Sequence, residues 1–184
     1  MQEEFTITIY SENRVGLLNQ ITTVFTRRHI NIESLTTSAS AIAGIHKFTI
    51  VVNSNREDID KLVKQIEKRI DVLKAYYFTQ DEIVYQEIAL YKVPTAALLE
   101  GNDIERLVRK YGARILEMTS EYAVIQKTGH KEETQELFEK LDQYGVTQFT
   151  RSGRVAVNKL KIEPLTTWLR ELEEADTLRL NGSE

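Results

Sequence analysis

Ser11-Glu12-Asn13-Arg14-Val15-Gly16-Leu17-Leu18, followed one short helix later by His29-Ile30-Asn31-Ile32-Glu33-Ser34-Leu35, is the stretch from which the fold can be read. Just before it, Phe5-Thr6-Ile7-Thr8-Ile9-Tyr10 alternates apolar and polar residues, the period-two pattern of a strand with one buried face. After Gly16 the period changes: Leu17, Leu18, Ile21, Val24 and Phe25 fall on one side of a helix, with Arg27 and Arg28 at its negative end. His29 tolerates the left-handed conformation better than most residues and so allows the helix to stop there. A strand, a polar turn with one glycine and a helix in immediate succession leave several backbone N–H groups pointing out of the turn, which attracts anions. Gly16 has no Cβ to hold a small ligand off the main chain, and the helix dipole favours a carboxylate there. The expected ligand is a small acid such as an amino acid. The same kind of turn joins strands to helices in many proteins that bind nothing at it, so the turn alone does not decide the function.

Working outward, Asn31 to Ser40 reads as a second strand whose single charge, Glu33, leaves an edge in need of a pairing partner. Ala41 to Gly44 makes a turn, and His46 to Val52 alternates again with Phe48, Ile50 and Val52 on one face. Ser54-x-x-Glu57 has the form of a capping box before a helix carrying Ile59, Leu62, Val63, Ile66 and Ile70, and Val72 to Phe78 closes the unit as a strand. Residues 1–80 therefore spell β-α-β-β-α-β, the ferredoxin-like order. Gln80-Asp81-Glu82 is a polar joint, and a second domain over residues 84–158 repeats the order. Its parts are a strand from Gln86 to Val93, a helix capped at Asn102 and ending at Gly112, a hairpin of Ala113–Met118 with Tyr122–Lys127, a helix ending at Gly145, and a strand from Val146 to Arg151. The fold class expected is α+β, two consecutive ferredoxin-like domains. The turn from Pro94 to Asn102 lacks the compact Asn-x-x-Gly arrangement and is not expected to bind the same ligand. Residues 159–184 read as a C-terminal tail with a short helix bearing Leu165, Trp168, Leu169 and Leu172, then an acidic run and a loose end at Asn181-Gly182-Ser183-Glu184. Trp168 either folds back over its own domain or anchors a partner.

The 184 residues suffice for two small cores, and 41% hydrophobic with 28% charged residues is the balance of an ordinary soluble protein. A net charge of -4 and no long basic run give no electrostatic support for nucleic acid or an anionic membrane. Without cysteine there are no disulfides, thiol nucleophiles or thiolate metal sites. No apolar stretch is long enough to span a bilayer, and the acidic start runs straight into a strand, so the expected location is the cytoplasm.

Asn13-x-x-Gly16-x-Leu18 followed by Asn31-Ile32-Glu33-Ser34-Leu35-Thr36 resembles the amino-terminal signature of the acetolactate synthase small subunits. The likeness extends over residues 3–158, including Asp71-Val72-Leu73 and Thr150-Arg151-Ser152-Gly153. It implies that the first domain is an ACT domain, an amino-acid-binding module that acts as a homodimer, with the ligand, commonly valine, held between the first turn of one subunit and the start of the second strand of another. The positions that match are Asn13, Gly16 and Asn31, with the backbone amides of Val15, Leu17 and Leu18 as carboxylate donors. It further implies that Arg151, Ser152 and Gly153 contribute to contact with a catalytic (large) subunit that uses thiamine diphosphate, Mg2+ and FAD, and that this chain carries no cofactor of its own. The role implied is feedback regulation in valine, leucine and isoleucine biosynthesis.

Two other classes share parts of this pattern. No catalytic residue is assigned, because His29, His46 and His130 are widely spaced without a ligand pattern and the carboxylates fall mostly on solvent faces of helices. An RNA-recognition module shares this topology and would stack bases on Phe48 and Tyr77, but the acidic balance and the missing basic-glycine-aromatic motif oppose it. A free-standing amino-acid sensor is the remaining alternative.

Overall fold

A computed structural model describes residues 2–181. The chain divides into two compact units, Met1–Val84 with Ala156–Glu184, and Tyr85–Val155.

In the first unit β1 (Glu3–Glu12), α1 (Leu17–Arg27), β2 (Ser34–Ala39), β3 (Ile45–Ser54), α2 (Arg56–Ile66) and β4 (Val72–Phe78) follow in the expected order. The strands lie antiparallel in the spatial order β2-β3-β1-β4, which leaves β2 at an edge. Phe5, Ile7 and Ile9 of β1 pack with Phe48, Ile50 and Val52 of β3 beneath Leu17, Ile21, Val24 and Phe25 of α1 and Ile59, Leu62, Val63 and Ile66 of α2. The alternation of β1 and the 3.6-residue period of the helices thus meet in one apolar layer. His29 has φ 56° and donates its N–H to the Thr26 carbonyl, ending α1 in the left-handed conformation.

Three local expectations change. The cap of α2 is Asn55, whose Oδ1 accepts from the Asp58 N–H at 2.9 Å; Ser54 belongs to β3, so the box starts one residue later than Ser54-x-x-Glu57. The helix stops at Ile66, and the turn that follows leaves Ile70 98% exposed rather than on the buried face. β2 begins at Ser34, which puts Asn31 in the loop before the strand.

A 3-10 turn over Gln80–Glu82 with a Thr79–Glu82 capping box leads into β5 (Ile83–Pro94). α3 (Thr95–Leu99), α4 (Asp103–Lys110), β6 (Arg114–Met118), β7 (Tyr122–Gly129), α5 (Lys131–Asp142) and β8 (Gln148–Arg151) complete the second unit. Its order β6-β7-β5-β8 repeats that of the first sheet. Its core gathers Ala89, Tyr91 and Val93 with Ala123, Ile125, Ile104, Val108, Leu137 and Leu141. The Tyr91 hydroxyl donates to the Thr134 carbonyl at 2.6 Å, so the largest buried side chain keeps its polar atom satisfied.

Beyond the short strand β9 (Val155–Asn158), α6 spans Pro164–Asn181, and it runs through the acidic segment that was expected to end it. Its start is held on the first unit. Leu165 is fully buried, the Tyr10 hydroxyl donates to Glu163 Oε1, Lys47 Nζ lies 3.9 Å from the same carboxylate, and Lys74 Nζ sits 5.6 Å over the Trp168 ring. The expected tail therefore groups with the first unit and Trp168 faces that unit's own lysine. Of the expected loose end, residues 182–184 lie outside the described residues.

Candidate functional site

The turn between β1 and α1 is built on a left-handed glycine. Gly16 has φ 86° and ψ −8° at the N-cap of α1, and a Cβ there would meet nothing within 4 Å. The need for glycine is therefore the backbone angle itself, which side chains adopt only at a cost, in addition to the open approach read from the sequence. No side chain caps the helix. The Arg14 N–H donates to the Glu12 carbonyl at 3.1 Å and the Leu17 N–H to the Arg14 carbonyl at 3.3 Å. Among the described residues, the amides of Val15, Gly16, Leu18 and Asn19 have no acceptor in the protein. Of the three amides named from the sequence, Val15 and Leu18 are thus open and Leu17 is spent within the turn. Val15 is fully exposed, Leu18 is 44% exposed, and Asn13 is exposed beside them, so an apolar side chain and open donors share one surface. Arg14 Nε, 3.0 Å from Glu12 Oε2 and 3.9 Å from Asp71 Oδ1, is neutralised on the side of the turn facing β4.

Asn31 lies past the other end of α1. Eleven helical residues at 1.5 Å each separate it from Gly16 by about 16 Å, so the two do not meet around one small ligand in a single chain. Its side-chain amide donates to Glu33 Oε1 at 3.0 Å, and the Glu33 N–H is fixed on the Val51 carbonyl at 2.8 Å. Asn31 is exposed at the head of the edge strand, where its amide oxygen remains directed at no protein donor among the described residues.

Arg151 is the last residue of β8, and Ser152 and Gly153 follow it directly. Ser152 is bound into the second sheet, its N–H donating to the Ile88 carbonyl at 2.8 Å and its Oγ accepting from the Ile88 N–H at 2.9 Å. The Arg151 guanidinium reaches the Lys131 carbonyl at 3.4 Å and lies 5.6 Å from the Phe149 ring. The Ser152 hydroxyl donates to the Gly153 carbonyl at 2.8 Å. These contacts give the segment a role in closing the sheet that its sequence did not announce.

The remaining chemistry is structural. Among the described residues no group of three or more His, Cys, Asp or Glu side chains is arranged to hold a metal ion, and no helix is long and apolar enough to cross a membrane. His130 sits in the one-residue link between β7 and α5 as the N-cap of that helix, its N–H donating to Glu133 Oε2 at 2.7 Å, and its ring lies 4.3 Å from that of Tyr85. Phe48 is buried in the core, while Tyr77 packs edge-on to Phe5 at 5.6 Å and donates to Asp60 at 2.6 Å. Phe48 is thus withdrawn from solvent, and the half-buried Tyr77 ring has the Arg56 guanidinium 6.0 Å from its centre.

Residues 7–74 match the family described as the AHAS small subunit-like ACT domain, and residues 86–160 match the family described as the small subunit of acetolactate synthase. The acetolactate synthase small subunit of Bacillus subtilis is 38% identical over 151 residues, 82% of this chain and 87% of that protein. The counterpart from Mycolicibacterium smegmatis is 31% identical, over 84% of this chain and 90% of its own length. Among solved structures, the acetolactate synthase small subunit from Thermotoga maritima superposes with a TM-score of 0.79 at 26% identity, covering 87% of this chain and 99% of that one.

Proposed function

This chain belongs to the family of acetolactate synthase small subunits, and from that premise we propose that it is the non-catalytic regulatory partner of a thiamine-diphosphate-dependent catalytic subunit in the cytoplasm. In this reading two copies dimerise through the β2 edges of their first units. Each turn at Gly16 then meets Asn31 of the other copy, which is the way to bring together residues that α1 holds about 16 Å apart in one chain.

The observation that carries the proposal is the set of open amides at Val15, Gly16, Leu18 and Asn19 at the positive end of α1, beside the exposed side chains of Val15 and Leu18. A carboxylate on those donors, an apolar side chain against Val15 and Leu18, and the Asn31 amide on the ammonium group together describe a branched-chain amino acid. Free chain activates the catalytic subunit, whose thiamine diphosphate, Mg2+ and FAD stay on that partner. Bound valine or isoleucine biases the complex toward its less active state, by the ~1–3 kcal/mol usual for such coupling. Arg151, Ser152 and Gly153 contribute to the contact with the catalytic subunit.

Titration calorimetry of the purified chain with valine, leucine and isoleucine, followed by assay of the reconstituted synthase, tests this reading. Saturable binding of one of them with a matching fall in synthase activity is expected. Binding without capture of a synthase would identify a free-standing sensor instead.

A further inference from the structure

The edge strand of the second unit differs in kind from that of the first. β2 reads Ser-Leu-Thr-Thr-Ser-Ala, whereas β6, at the outside of its own sheet, reads Arg-Ile-Leu-Glu-Met with every residue exposed. Ile115, Leu116 and Met118 leave 38%, 50% and 49% of their surfaces open. β6 also carries a bulge. Arg114 pairs with Gln126 and Ile115 with Ile125, then Leu116 is skipped, and Glu117 pairs with Val124 and Met118 with Ala123. Since Ala123 and Ile125 are buried in the core, Ile115 and Met118 stand on the helix-bearing side of the sheet, and Arg114 and Glu117 share the opposite side. On a regular strand two residues three apart would face opposite ways; the extra residue puts this cation and anion on one face. Arg114 Nε donates to the Gln126 side chain, and Glu117 Oε1 accepts from the Tyr122 hydroxyl at 3.2 Å. Among the described residues neither forms an ion pair.

We propose that β6 pairs antiparallel with β6 of a second copy of this chain about a twofold axis, Arg114 of each copy lying opposite Glu117 of the other and Ile115 opposite Leu116. Read in either direction from the midpoint between Ile115 and Leu116, the strand presents an apolar residue and then a charge, and the two charges are opposite in sign. Reversed and laid against itself, it sets cation against anion on one face and apolar against apolar on the other. Opposite charges directly across a ladder stabilise the pairing and like charges oppose it. Any strand would satisfy the open backbone groups of this edge, but a second copy is the occupant that its charge order matches. This contact is separate from the one attributed to β2 and rests on none of its residues.

The chain has no cysteine, so an introduced one reports alone. Full-length I115C and L116C chains, mixed and gently oxidised, are expected to form an interchain disulfide at least tenfold faster than a Q148C chain, whose thiol is on the opposite edge strand β8. Adding R114E to both members of the pair should slow crosslinking at least tenfold, and R114E with E117R should restore it to within twofold. Circular dichroism of each variant controls for the fold. Rates equal to the Q148C control, or a charge reversal that does not restore the rate, overturn the proposal. So does protection of the two thiols from a maleimide that appears only when a synthase catalytic chain is added, since that outcome assigns the edge to a different protein.

Discussion

At Gly16 the first unit passes from strand to helix through a left-handed residue, and the amides of Val15, Gly16, Leu18 and Asn19 are left without acceptors. At the corresponding place in the second unit, Pro94 brings no N–H, the Thr95 N–H donates to the Glu121 carbonyl at 3.1 Å and the Thr95 hydroxyl to the Thr119 carbonyl at 2.8 Å. α3 then ends after five residues and α4 starts again from Asn102. Both units have the same strand order and both bury one apolar layer. The difference shows that this topology supplies only a location. In the second unit the loop between β6 and β7 has taken the Thr95 amide and hydroxyl and proline has removed another donor, whereas the turn of the first unit leaves the Val15 and Gly16 amides open.

The sharpest way to break the contrast is Gly16→Asp. Aspartate brings a like charge to the carboxylate site and a Cβ to a φ of 86°, so effector potency in the reconstituted synthase should fall at least tenfold, about 1.4 kcal/mol, while activation by free chain stays within twofold. Loss of both together would mean that the glycine serves folding. Complementation probes the second copy's share. Asn31→Ala alone should weaken effector binding about fivefold, and mixing it with Gly16→Asp chains should recover binding, since each mixed dimer rebuilds one turn and asparagine pair free of either lesion. Calorimetry that shows no recovery would mean Asn31 does not act across the dimer.

In the second unit Thr95→Val should lower stability by about 1 kcal/mol, read as a shift in denaturation midpoint, because the hydroxyl bond to Thr119 is lost, and should leave effector binding unchanged. The smallest effect is in alkali. Burial first, then the hydrogen bond to Glu163 and its charge, push the Tyr10 hydroxyl above the ordinary tyrosine range; burial does the same to Tyr91 in the second unit. A raised folded value means the neutral phenol is favoured, so the contribution is complete below the unfolded value of about 10 and is lost as pH rises past it. Tyr10→Phe should therefore flatten part of the fall in melting temperature above that pH, and the slope that remains comes from Tyr91 together with Tyr76, Tyr77, Tyr111 and Tyr122, whose hydroxyls are also raised. An unchanged slope would show that Tyr10 does not share in it.

The paired topology was legible because each element carries its own period and stop signal: the alternation of β1, the amphipathic run from Leu17 to Phe25, His29 at a left-handed angle. The misreadings have local causes. Ser54 and Asn55 are both good capping residues, and the one whose partner three positions on could be reached, Asp58, was chosen by the length of β3. Ile70 keeps helical spacing from Ile66, but the Arg69 and Val72 amides bond back to Ile66 and Arg69 in successive turns, with no glycine or proline to announce the stop. α3 was hidden by reading Pro94 to Asn102 as one turn, although Pro94 followed by Thr95-Ala96-Ala97-Leu98-Leu99 is a serviceable helix start. At the site, the sequence supplied the glycine and the asparagine. It did not supply the loss of the Leu17 amide to Arg14 or the claim of Glu33 on Asn31, because both depend on how a turn and a side chain settle in three dimensions.

The chain leaves the first unit at Val84 and re-enters it at Ala156, and Leu165 and Glu163 come to rest on a sheet face that was finished some eighty residues before. During synthesis at the usual 5–20 residues per second, that face waits roughly four to seventeen seconds for its cover. A nascent chain in that interval leaves Tyr10, Tyr76 and Lys47 without that cover, and a message truncated after β8 would leave them bare for the life of the protein.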